Sequence, residues 1–136
     1  MSEKDTDEIM EIWLSENMLV HSFMSNDLIM KNKERTEQLI KKSKVFVCEK
    51  DNEILGFISL SGNYIDCLYV KSKSQRQGIG KALMKHCKNI FWSLMIKVYQ
   101  QNENAVSFFE KQSFFVRDKM DNAETGETEL FMEWIR

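Results

Sequence analysis

The chain has 136 residues, the size expected of one domain spanning 1–136. A 43% hydrophobic content suffices for a packed core, but no run approaches the ~20 consecutive apolar residues of a membrane span, so no membrane partner is expected. The net charge of -2 gives no electrostatic basis for binding nucleic acid or an acidic membrane.

Taken in chain order, Asp5 can cap a first helix with Glu8 three residues on, and Ile9, Ile12, Trp13 and Glu16 form one stripe along it. A second helix is predicted over about 26–42, although the charged stretch 31–37 between Ile29 and Leu39 counts against its continuity. Strands follow at 45–49, 54–61 and 64–70, separated by turns at Asp51-Asn52 and Gly62-Asn63, and read as an antiparallel meander. A helix over 78–91 and a strand over 94–99 then make a βαβ step, which requires strands 64–70 and 94–99 to run parallel. A helix at 102–111 leads into strands 114–121 and 128–135 around a polar turn with Gly126. The predicted class is therefore mixed α/β: a mostly antiparallel sheet with one parallel pair and about four helices.

Acidic residues gather near both ends of the chain, whereas Lys71, Lys73, Arg76, Lys81, Lys85 and Lys88 surround a glycine loop in the middle. That loop, Gln75, Arg76, Gln77, Gly78, Ile79, Gly80 and Lys81, joins an apolar strand to a helix. Glycines let the backbone approach a phosphate closely, and the free N–H groups and positive dipole of the helix start attract the anion. Two common phosphate loops do not fit. Ala82 follows Lys81 where a nucleotide hydrolase needs Ser or Thr, and the three glycines of a dinucleotide fingerprint are not present. Cys48, Cys67 and Cys87 show neither CxxC nor zinc spacing, so no metal is expected. Cys48 and Cys67 fall in strand-like runs and read as packing residues, and a chain with no secretory signal is expected in the reducing cytoplasm.

The stretch Gln75 to Gly80 resembles the signature of the GNAT superfamily of acetyl-CoA-dependent N-acyltransferases: Gln or Arg, two residues, Gly, one residue, Gly or Ala. Cys67, Leu68, Tyr69 and Val70 match the family's strand end before it. Asn102, Ala105, Phe108, Phe109, Glu110, Lys111 and Phe114 resemble its next helix, and the likeness is best over 44–115. Most members begin with a strand before the first helix, and here that strand is short or missing.

The resemblance implies a small bacterial single-domain enzyme in which the two parallel strands splay apart and the pantetheine arm of the cofactor lies between them. The main chain of Leu68 and Val70 would bond pantetheine, the N–H groups from Arg76 through Gln77, Gly78, Ile79 and Gly80 to Lys81 would hold the pyrophosphate, Asn102 would bond the cofactor near the thioester end, and Tyr69, Gln75, Ala105, Phe108 and Phe109 would complete the cofactor site. For Asn102 a helix N-cap is an equal reading, and one residue can serve both. The Leu68 N–H would receive the oxyanion. Phe109 stands where many members carry the Tyr that protonates the leaving thiolate, and Ser113 replaces a usual Gly. Tyr99, Tyr64 and Tyr69 are candidate substitutes for the acid, with aromatic packing as the alternative, and Asp66 is a candidate base or an edge salt-bridge residue. His21 and Phe23 match an acceptor-site pair found in some small bacterial members. The implied partners are acetyl-CoA and an amine acceptor: a protein lysine, an N-terminal amine or a small molecule. A degenerate member that binds acyl-CoA as a sensor, and a purely structural module, stay open, as does a monomer or a homodimer formed through an exposed sheet edge.

Overall fold

The computed structural model describes residues 3–20 and 26–136. Two helices, α1 (Glu3–Val20) and α2 (Asn26–Lys42), lead into β1 (Lys44–Lys50), β2 (Glu53–Ser61) and β3 (Tyr64–Val70). A short 3-10 turn (Ser72–Ser74) then leads to α3 (Ile79–Ile90), β4 (Ser93–Tyr99), α4 (Glu103–Lys111), β5 (Phe115–Asp121) and β6 (Thr128–Ile135). The strands form one sheet in the order β1-β2-β3-β4-β6-β5, in which only the β3–β4 pair is parallel. Among the described residues no strand precedes α1.

Two expectations about the helices are corrected. Helix α1 starts at Glu3, so Asp5 lies inside its first turn, where a carboxylate favours the helix dipole, instead of capping it. Helix α2 runs unbroken through its charged stretch. Ile29 and Ile40 lie about three helical turns apart on one face and are both fully buried, while the intervening charges face outward. Amphipathic burial at the two ends thus outweighs the polar run between them.

The sheet separates two cores. On one face Ile9, Ile12 and Trp13 of α1 and Ile29 and Ile40 of α2 pack against Ile54, Phe57 and Cys67. On the other face Ile79, Leu83, Met84 and Cys87 of α3 and Phe109 of α4 pack against Ile58, Leu60, Ile65, Leu94 and Ile96. Each fully buried aliphatic side chain contributes about 1.5–3 kcal/mol, so both helical layers are held mainly by this stripe burial. Between β1 and β2, Asp51 and Asn52 both take left-handed φ, the conformation of a tight hairpin turn.

One irregularity shapes everything that follows. In the β2–β3 ladder Ser59 pairs with Cys67 and Leu60 with Ile65, leaving Asp66 as an extra, bulged residue on β3. Side chains therefore change phase there: Ile65 faces α3 and α4, Cys67 faces α1 and α2, and Leu68 and Val70 return to the α3 side. The parallel ladder to β4 stops at the same point, after Tyr64–Met95 and Ile65–Ile96.

Candidate active site

Beyond Ile65 the two parallel strands diverge, while β4 stays paired with β6 along its whole length. The main-chain groups bordering the gap follow from alternation along a strand. The Lys71 N–H donates to Leu55 O of β2 at 2.8 Å, so Tyr69 also turns its main chain toward β2, and Leu68 and Val70 turn theirs toward the gap. On the opposite side the Met95 N–H donates to Asn63 O and the Gln100 N–H to Thr128 O, which leaves Lys97 and Tyr99 facing the gap. Two strand edges that diverge in this way suit an extended ligand that pairs with their main chains.

The gap opens into a cavity of about 360 Å³ lined by Leu68, Tyr69, Val98, Tyr99, Asn102 and Phe109 among others. Asp66 and Ala105 also line it. Asn102 caps α4, its Oδ1 accepting from the Ala105 N–H at 3.2 Å. Phe109 is 3% exposed and meets Phe108 and Phe114 edge-on, with ring centroids 5.2 Å apart in each pair. Asp66 Oδ2 accepts from the hydroxyls of Ser61 (2.6 Å) and Ser43 (3.1 Å), which ties the bulge to β2 and to the residue joining α2 and β1.

The three tyrosines differ in their surroundings. Burial, and then Cys67, lifts the Tyr69 phenol well above its usual range, and a side-chain bond with Asn17 opposes this. Burial likewise raises Tyr99, with Glu129, Glu124 and Glu127 adding to the effect and a bond with Thr125 opposing it. Tyr64, at the still-paired end of the gap, is pushed up to about 12 by burial and then by Asp66 and Glu129. All three stay protonated donors at neutral pH. His21 and Phe23 lie outside the described residues.

At the far end of the gap lies the glycine loop. Gln75 turns its side chain inward, donating to Glu16 Oε1 and to Val70 O, both at 2.9 Å. Arg76 (φ 65°) and Gly78 (φ 81°) both adopt left-handed backbone, and Gly78 caps α3 without any side-chain hydrogen bond. The first four N–H groups of a helix lack intrahelical partners, so those of Ile79, Gly80 and Lys81 point outward as donors. Of the basic residues around the loop, Lys71 and Lys73 pair with Glu53, whereas among the described residues Arg76, Lys81 and Lys85 have no acidic partner. That combination forms an anion cradle. Among the described residues no His, Cys, Asp or Glu group is arranged to hold a metal ion.

Sequence reasoning missed two contributors. Gly56 lies beneath the loop, where an added Cβ would stand 3.1 Å from both Tyr69 O and Ile79 Cγ2, so glycine here lets α3 settle onto the sheet. Glycine inside a strand-like run was the available signal. Glu16 was read as part of a stripe, yet its carboxylate ties down the loop. Only the mismatch of a charged residue in an apolar stripe hinted at this.

A strand pair splayed at a bulge, with a helix N-terminus at one end and phenols at the other, is the arrangement of an acyl-CoA-dependent transferase. The model of the "Acetyltransferase (GNAT) domain" family matches residues 16–134, and the chain belongs to that family. It is 31% identical over 131 residues to the peptidyl-lysine N-acetyltransferase YiaC of Escherichia coli K12, covering 93% of this chain and 88% of that protein. In fold it is similar to the solution structure of apo-form YjaB from Escherichia coli, with TM-score 0.86 at 23% identity over 98% of this chain and 93% of that one. It is also similar to Arabidopsis thaliana Naa50 in complex with the bisubstrate analogue CoA-Ac-MVNAL, with TM-score 0.60 at 18% identity over 68% of this chain and 72% of that one.

Proposed function

We propose that the protein transfers the acetyl group of acetyl-CoA to the side-chain amine of a peptidyl lysine, by direct attack with both substrates bound. The observation that carries this is the gap after Ile65, whose main-chain edges and anion cradle suit a pantetheine diphosphate. Naa50 of the same fold holds a CoA conjugate, and the relative YiaC is named for lysine acceptors.

In this reading Leu68 and Val70 bond the pantetheine amides, and Gly78, Ile79, Gly80 and Lys81 receive the diphosphate. Asn102 and Ala105 border the thioester end, and Phe108 packs against Gly80 of the loop. The Leu68 N–H, fixed by the bulge, receives negative charge as the acyl carbon becomes tetrahedral. The new C–N bond forms in that step, the tetrahedral carbon then collapses with loss of the C–S bond, and Tyr99 gives its proton to the departing sulfur in place of the phenol that Phe109 lacks. Glu129, paired across the ladder with Tyr99 and lining the cavity, meets the acceptor's ammonium, and Asp66 offers a second carboxylate for the released proton. The cytoplasm is the proposed setting, consistent with three free cysteines. Phe109 favours one second reading, a member that binds acyl-CoA without turnover.

The test is CoA release from acetyl-CoA with lysine peptides, N-terminal peptides and polyamines, run on wild type, Tyr99→Phe and Phe109→Tyr together. Wild type should turn over a lysine peptide. Turnover appearing only in Phe109→Tyr would replace this reading with the binding module.

A further inference from the structure

Glu16 is a carboxylate that the proposed chemistry does not use. It is 4% exposed on the inner stripe of α1, and among the described residues no Lys, Arg or His pairs with it. Burying an uncompensated carboxylate costs several kcal/mol, so its partners must repay that cost. Oε2 accepts from the Ser72 N–H (3.2 Å) and Ser72 Oγ (2.8 Å), and Oε1 accepts from Gln75 Nε2 (2.9 Å). Every donor comes from one four-residue run between the end of β3 and the glycine loop. The same Gln75 amide also holds Val70 O, and the Ser74 N–H holds Lys71 O at 2.8 Å. The run is therefore fixed from behind. Its exit is the left-handed pair Arg76 and Gly78, which turns the chain outward into the first turn of α3.

We propose that Glu16 is a positioning residue for the phosphate-binding loop: from α1 it anchors Ser72 and Gln75 so that the N–H groups opening α3 face the diphosphate of CoA. This deepens the acetyl-CoA reading and rests on it. The carboxylate touches no substrate, and neutral donors absorb its charge behind the loop, away from the incoming anion.

The role is separable from mere fold support because S-acetylpantetheine carries the thioester without the diphosphate. Glu16→Gln keeps the shape but places an amide donor against donors. Ser72→Ala removes the shortest of these bonds, Oγ to Oε2, from an exposed loop residue and leaves α1 and the Gln75–Val70 bond intact. Both should raise KM for acetyl-CoA about tenfold or more, the loss expected for a charged hydrogen-bond set. Both should leave kcat with acetyl-CoA, and kcat/KM with S-acetylpantetheine, at the wild-type level. An unchanged KM in either variant, or an equal loss with both thioesters, overturns the positioning role. Failure of wild-type protein to bind CoA by calorimetry would instead remove the acetyl-CoA reading on which it stands.

Discussion

Burial keeps the phenols of Tyr64, Tyr69 and Tyr99 protonated, yet only Tyr99 combines a place beside Asn102 and Phe109 in the cavity lining with a cross-strand carboxylate, Glu129. Tyr99→Phe should lower kcat about 10²-fold while leaving KM for acetyl-CoA near wild type. Because this acid must hold its proton and its pKa is raised, activity is lost only as pH climbs through that raised value, so the alkaline limb of kcat belongs above pH ~10. A limb well below that, or an unaffected Tyr99→Phe, assigns the proton to another group. The sequence made Tyr99 one of several candidates because strand position alone does not say which aromatic meets the gap. Asp66 was legible as a carboxylate near the cleft, but its grip on Ser43 and Ser61 depends on residues that only the folded sheet brings together. Phe109 was legible in full, since a missing hydroxyl needs no coordinates.

Backbone conformation decides the fate of substitutions in the connecting elements. Helix α4 ends with Ser113 in the left-handed region (φ 70°) and the Phe114 N–H bonded to Phe109 O at 3.0 Å, a cap that normally uses glycine. Ser113→Gly should raise stability by about 1 kcal/mol, read as a higher melting temperature, and no rise would mean that the serine makes a compensating contact. In the loop, the two glycines do different work. Gly78 has open space around its missing Cβ but a φ that disfavours side chains, whereas Gly80 has ordinary φ and the Phe108 ring 3.4 Å from an added Cβ. Gly78→Ala should therefore lower the melting temperature through backbone strain alone, whereas Gly80→Ala, at ordinary φ with its added Cβ at contact distance from Phe108, should leave it near wild type. Equal melting temperatures for the two variants would contradict that division. The sequence marked both glycines by spacing, and it had no means of telling strain from contact.

Across the whole molecule, the two cores bury groups that prefer to stay neutral. Burial pushes Cys67 from 9.0 up to about 12 and Cys87 from 9.0 to about 11, and Tyr64 rises from 10.0 to about 12. Between these limits the folded chain keeps protons that the unfolded chain has released. The associated stability is thus intact below pH ~9 and lost as pH rises toward ~12. The urea midpoint should fall between pH ~8 and ~10.5 by an amount equivalent to ~4 kcal/mol, about 2 from each thiol, with the slope of the transition unchanged. A flat midpoint would mean that the thiols titrate freely in the fold. Topology at this scale was largely readable in advance: three strands with tight turns, then a βαβ step, admit few arrangements. The order β4-β6-β5 at the far end of the sheet was less accessible, because the last hairpin could pair through either strand.

The bulge at Asp66 makes β3 sensitive to arithmetic more than to spelling. Side chains along β3 can vary in kind so long as they fit their face, but the strand cannot lose a residue there. Without the extra position Leu68 and Val70 would follow Ile65 in unbroken alternation along the edge facing β4, and the parallel ladder would be free to zip onward past Ile96. A chain shortened by that single residue could fold into a tidier sheet with no room left for a ligand.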